Sequence, residues 1–284
     1  MAMIETTATS RPQRPIGIFD SGVGGLTVLK ALRHKLPHRD FIYVGDTARV
    51  PYGRKPAAMV VEFAYGITEF LRRKSVEGVV IACNTASSAA LPELATQFPL
   101  PVWGVIDPGV EGASRLTRSG RTGVIGTRGT IASGAYQRRL EQRGFTVWAR
   151  ACPLLVHIVE EGLAGSPECD LLLHHYLDGR AEIDTLILGC THYPLLHDAI
   201  QRVVGPAVAL VDSAEALAQA VNGTLGTDPP GGAAGRIIHF VTGDPVAFAH
   251  TAAVIGEVEG EIVPLPVTEL IALQAVAARQ PAAG

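Results

Sequence analysis

Cysteine is scarce in this chain: four in 284 residues, at Cys83, Cys152, Cys169 and Cys190, with no CxxC pair among them. That is too thin for a disulfide framework, and without CxxC spacing the sequence offers no zinc signature and no metal set. Free thiols in a reducing cytoplasm are the expectation. Charge is scarce too, at 18% of residues with a net charge of −3. The densest basic run, Arg72-Arg73-Lys74, closes a helical pattern, where cations suit the helix dipole. Nothing here is a footprint for nucleic acid. Long apolar runs are missing as well: none reaches the roughly 18 residues of a membrane helix. The polar stretch 1–14 lacks the apolar segment of a secretory signal and reads as a flexible leader.

Apolar material is plentiful, at 47% of the residues, enough for one large domain or two small ones. Short β-branched runs alternate with longer amphipathic stretches, the pattern of an α/β protein with mostly parallel sheets. Expected strands are Ile16–Phe19, Phe41–Val44, Gly78–Ala82 and Val102–Ile106, then Thr122–Ile125, Thr146–Ala149, Thr185–Leu188 and Val208–Val211. Expected helices include Gly25–Leu36, Pro56–Lys74, Ser133–Gln142 and Cys169–Leu177.

The two strand sets run in step. Gly17–Ser21 can be laid on Gly123–Thr127, and Val80–Thr85 on Ile187–His192. The strand expected to end in Asp107 matches the one ending in Asp212, at nearly the same offset. This points to two similar α/β lobes related by a pseudo-twofold, with the active site in the cleft between them. The lobes divide as 15–107 plus 213–284, and 108–212. After Asp212 come a helix, a loop over Asn222–Gly232, a strand at Ile237–Val241 and a helix from Pro245 that returns to the first lobe.

In open α/β sheets, ligands bind beyond the carboxyl ends of the strands. The polar clusters at those corners are Asp20-Ser21, Asp46-Thr47, Cys83-Asn84-Thr85, Thr127 with Thr130, and Cys190-Thr191-His192. Gly22-Val23-Gly24-Gly25 falls short of GxGxxG, and no acidic residue is placed to hold a ribose, so a dinucleotide is not expected. A lone cysteine at a strand end is more often packing than chemistry. Two at matched corners, each followed by small polar residues, reverse that preference. Asn84 or Thr85 would cap the helix after Cys83, and Pro194 suits the first turn after Cys190. A thiol there faces the positive end of a helix and is biased toward thiolate.

Two thiols suit one task well. Inverting a carbon stereocentre requires taking a proton from one face and returning one to the other, and two groups of the same kind can exchange those roles. Around Cys83 and Cys190, the neutral donors Ser21, Asn84, Thr85, Thr127, Thr130 and Thr191 could hold a substrate carboxylate. Asp20 and His192 are placed to tune the thiols. Cys152 and Cys169 read as core residues.

Several linked motifs resemble the glutamate racemases of the aspartate/glutamate racemase superfamily, from about Pro15 to Ala218. They are Ile18-Phe19-Asp20-Ser21-Gly22-Val23-Gly24-Gly25-Leu26, Tyr43-Val44-Gly45-Asp46 with Pro51-Tyr52-Gly53, Ile81–Ser87, Val124–Thr127 and Leu188–Leu195. The resemblance implies interconversion of L- and D-glutamate without any cofactor, for peptidoglycan synthesis, in a cytoplasmic homodimer. It implies that Cys83 acts on the D-enantiomer and Cys190 on the L-enantiomer. Asp20, Ser21, Pro51, Tyr52, Gly53, Asn84, Thr85, Thr191 and His192 would surround the substrate, with Glu160 near the second cysteine. One departure is His157, where the family usually has proline. Another racemase of the superfamily, for aspartate or hydantoin, is the alternative; a one-thiol decarboxylase does not need both cysteines. Some glutamate racemases also inhibit DNA gyrase, but no basic surface here points to that partner. A two-lobed solute-binding protein would be expected to carry an export signal.

Overall fold

The computed structural model describes residues 14–226, 233–256 and 259–277. The leader, apart from Arg14, and the 227–232 part of the expected loop lie outside them.

Two parallel sheets organise the chain. The first holds β1 (Ile16–Asp20), β2 (Phe41–Gly45), β3 (Val79–Ile81) and β4 (Val102–Gly104). The second holds β5 (Arg121–Gly126), β6 (Thr146–Ala151), β7 (Thr185–Gly189) and β8 (Ala209–Val211). The first four strands lie in the order β2-β1-β3-β4 and the second four in the order β6-β5-β7-β8, the same arrangement twice. Beyond β2 the first sheet is extended by β9 (Ile237–Val241) and β10 (Glu261–Pro264). The returning tail therefore adds two strands to the first lobe, of which the sequence pattern showed one.

Buried parallel strands carry apolar residues on both faces, and these strands divide them between cores. Ile18 of β1 and Val80 of β3 join Val124 of β5 and Ile187 of β7 in one cluster that spans both sheets. The opposite faces, with Phe19 and Ile81 on one lobe and Ile125 and Leu188 on the other, pack into separate outer cores. Truncating a shared residue such as Ile187 to alanine costs about 2–5 kcal/mol and loosens both lobes together.

The helices are α1 (Leu26–Lys35), α2 (Ala57–Arg73), α3 (Asn84–Gln97), α4 (Ile106–Leu116), α5 (Arg128–Ala132), α6 (Ala135–Glu141), α7 (Leu154–Glu160), α8 (Pro167–Leu177), α9 (His197–Val204), α10 (Ser213–Leu225), α11 (Pro245–Ile255) and α12 (Val267–Ala277). Three stretches differ from the sequence expectation. The stretch expected as one helix from Ser133 is preceded by α5, and Gly134, at φ +63, breaks the chain between α5 and α6. That left-handed turn favours glycine. The strand expected to reach Ile106 stops at Gly104, and Asp107 lies in the first turn of α4, bonded to Arg139. Asp212 instead caps α10 through its side chain, so the two aspartates are not equivalent strand ends. Residues Asn222–Leu225 belong to α10 rather than to a loop. Among the described residues, no helix is long and apolar enough to cross a membrane.

Candidate active site

Both cysteines sit just past strand ends, and each is buried, 6% exposed. Cys83 follows β3 and is itself the N-cap of α3, with no side-chain cap bond; neither Asn84 nor Thr85 caps that helix. The Asn84 side chain is engaged elsewhere: its Oδ1 accepts from the Tyr136 hydroxyl, 2.7 Å away on α6. Cys190 follows β7 and leads into the 3₁₀ turn Tyr193–Leu196, which contains Pro194.

One small cavity of about 40 Å³ receives both thiols. Its other walls are Ser21, Pro51, Tyr52, Gly53, Asn84, Thr85, Thr127, Thr191 and His192, from both lobes. Gly22, Val50 and Val156 line it too, three residues beyond those the sequence motifs assign to the site. Val156 stands on α7 one helical turn before Glu160, so the expected role of Glu160 was itself a signal that this face reaches the site. Tyr136, which orients Asn84, had no motif to betray it.

Three expected residues stand outside this cavity. Thr130 is fully buried behind it, 3.3 Å from Thr85 Oγ1 and 3.0 Å from Thr127 Oγ1, closing a hydroxyl cluster in which Thr85 and Thr127 are 2.8 Å apart. Asp20 is buried beneath the cavity, its Oδ2 accepting from the Gly22 N–H at 3.0 Å. Its Oδ1 has no partner. Glu160 meets His192 from the far side and lines a neighbouring cavity.

Glycines let the two lobes come this close. A β-carbon on Gly53 would stand 2.6 Å from Thr127 Cβ, so the Pro51–Gly53 turn of one lobe can press onto the other only without one. At the start of α1, the Thr27 hydroxyl donates to the Thr191 carbonyl at 3.1 Å, tying the lobes again. Tyr52 is held from behind by Asp46, which accepts its hydroxyl proton, the Arg49 Nε–H at 2.7 Å and the Thr242 hydroxyl at 2.8 Å.

The surroundings of the two thiols differ electrically. Burial pushes the Cys83 thiol up to about 12, and the Asp20 carboxylate adds to the rise; the Ala86 N–H and Ser21 pull it partly back. Cys83 Sγ lies 3.8 Å from Ser21 Oγ. Burial also raises Asp20 above the ordinary carboxylate range, partly offset by His192. Burial alone would lower His192, but its contacts with Cys190 and Glu160 overcome this and push it up to about 10. Its Nδ1 is 3.8 Å from Cys190 Sγ and its Nε2 is 3.0 Å from Glu160 Oε1. An imidazolium between a sulfur and a carboxylate stabilises negative charge on the sulfur. One thiol of the cavity thus stands near a buried carboxylate and the other beside a cationic imidazole. Among the described residues, no group of three or more His, Cys, Asp or Glu could hold a metal ion.

The likeness to known proteins agrees with this geometry. Residues 26–221 match the Asp/Glu/Hydantoin racemase family. The chain belongs to that family and is a racemase, an isomerase. Its similarity within the family is to glutamate racemases: it is 54% identical to one from Thermus thermophilus over 252 residues, 87% of this chain and 94% of the relative. It is 50% identical to the glutamate racemase of Aquifex aeolicus over 72% of this chain and 81% of the relative. The crystal structure of the Thermus thermophilus glutamate racemase in complex with beta-chloro-D-alanine superposes with a TM-score of 0.84, covering 91% of this chain and 99% of that one at 50% identity. The glutamate racemase of Francisella tularensis in complex with D-glutamate gives 0.80 at 32% identity, covering 90% of this chain and 98% of that one.

Proposed function

We propose that this racemase interconverts L- and D-glutamate without a cofactor, by a two-base proton transfer in which Cys83 and Cys190 stand on opposite faces of the α-carbon. The observation that carries the reading is the single cavity shared by both sulfurs, one beside the Asp20 carboxylate and one beside the His192 imidazolium.

In one direction the Cys190 sulfur takes the α-proton while the Cys83 thiol gives its own to the other face, and in the reverse direction the roles exchange. His192 supports the charge on Cys190, and Glu160 holds His192 in place and protonated. The substrate α-carbanion needs its negative charge dispersed into the carboxylate, and Asn84, Thr85 and Thr191 supply donors for it, with Ser21, Gly53 and Thr127 closing the cavity. Thr130 orders the Thr85 and Thr127 hydroxyls from behind. The family resemblance adds the direction, Cys83 with the D-enantiomer and Cys190 with the L-enantiomer. It also adds the context: D-glutamate for peptidoglycan, made in the cytoplasm by a homodimer.

Incubation with L-glutamate in deuterium oxide tests this reading. The α-proton signal should fade as D-glutamate appears, with L-aspartate left unchanged. Binding of glutamate with neither exchange nor inversion would overturn it.

A further inference from the structure

Tyr136, fully buried on α6, lies outside the cavity yet reaches the chain beside both cysteines. Its hydroxyl donates to Oδ1 of Asn84, the residue after Cys83, at 2.7 Å. Its ring packs against the backbone just before Cys190, where a β-carbon on Gly189 would stand 3.3 Å from Cε2. The hydroxyl end is boxed in by α4 and α10, the two helices that carry the chain between the sheets. A β-carbon on Gly109 of α4 would stand 3.1 Å from the phenol oxygen and 3.4 Å from Cβ of Ser213, the first residue of α10. With both ring and hydroxyl hemmed in, the phenol oxygen is fixed where it meets Asn84. Burial holds the phenol well above its ordinary range, so it keeps the proton it donates.

An amide has an accepting end and a donating end of nearly the same shape, so shape alone does not choose which end faces a ligand. At Asn84 the oxygen is claimed from behind, and among the described residues the Nδ2 group bonds to no protein atom. Asn84 lines the cavity, so its N–H groups are the end left for a ligand. We propose that Tyr136 is a positioning residue for the racemase reaction: by holding Oδ1 it turns the Asn84 amide so that its N–H groups meet a substrate carboxylate. The proposal rests on the glutamate reading above, in which Asn84 is a carboxylate donor. Without the hydroxyl, that orientation would leave Oδ1 unpaired against a ring. The amide would then turn its oxygen into the cavity, where it opposes the carboxylate, and binding substrate would have to turn it back.

The test is a double-replacement cycle read in kcat/KM for glutamate racemisation. Tyr136→Phe removes the hydroxyl and keeps the ring that packs against Gly189. It should lower kcat/KM about tenfold. In an Asn84→Ala background the same change should cost less than about twofold, because no amide is left to orient. A residue that merely held the fold together would cost the same in both backgrounds. Asn84→Asp gives a second reading should Tyr136→Phe not fold. It matches asparagine in size but presents oxygen at both ends, so it should be slower than Asn84→Ala. An unchanged kcat/KM in Tyr136→Phe, an equal loss in both backgrounds, or Asn84→Asp at least as fast as Asn84→Ala overturns the role of Tyr136 and leaves the two-thiol mechanism standing. Failure of the unaltered protein to invert glutamate would overturn the glutamate reading, and this proposal with it.

Discussion

Gly24 stands so close to His192 that a β-carbon on it would lie 2.5 Å from the imidazole Nδ1 and 2.4 Å from Thr191 Oγ1. The glycine run before α1 therefore works as a close approach of backbone to the second cysteine's corner. Gly24→Ala must push His192 and Thr191 out of place, since neither is the free end of a long side chain. The expected result is a loss of about 100-fold in kcat/KM with the circular dichroism spectrum unchanged, because the displaced groups belong to the site.

Gly53 makes the matching prediction for the lobe seam. Thr127, which its added carbon would strike at 2.6 Å, caps α5 and is bonded to Thr85, so it cannot swing aside. Gly53→Ala should hold the cleft ajar. Steady-state kinetics should show KM raised by about tenfold or more.

The alkaline limit of the reaction should report His192. The contacts with Cys190 and Glu160 outweigh burial and hold it above its ordinary value of 6.5, at about 10. Its stabilising contribution is thus complete below 6.5 and is lost as pH rises through about 10. The pH profile of kcat/KM should fall along an alkaline limb in that window. Glu160→Gln removes one of the groups that raise His192 and should move the limb to lower pH; an unmoved limb would detach Glu160 from the titration.

His239 predicts the opposite dependence, in stability. Its Nε2 donates to the Glu259 carbonyl at 2.8 Å and its Nδ1 is buried without a partner. Burial holds it below the ordinary 6.5, so it is neutral in the fold. The stability it contributes is present above the unfolded value and is lost as pH falls through the folded one. Between about pH 7 and about pH 5, His239→Gln should show a shallower decline in Tm than the unaltered protein.

Much of this was legible in the sequence because strand periodicity and corner chemistry are local. Cys83 and Cys190 could be matched by the residues beside them, and the parallel strands by their apolar runs. What escaped was set by distant contacts. The β4 run looked longer than it is because Val105 and Ile106, apolar in either state, bury into the shared core at the start of α4. The strand β10 was missed because Glu261–Pro264 is short, and its two middle residues are only half-buried on an edge. Thr130 was read as a substrate donor because nothing local shows that it turns away from the cavity to bond Thr85. Asn84 looked like a helix cap because the partner that claims it, Tyr136, is 52 residues away.

The central claim, that two sulfurs act on one carbon, is tested most directly by single replacements. Cys83→Ala and Cys190→Ala should each abolish racemisation, yet each should still eliminate hydrogen chloride from a chlorinated glutamate analogue, one variant from one enantiomer and the other from its mirror image. Elimination needs a single base, and inversion needs both. Full racemase activity in either variant would contradict the account.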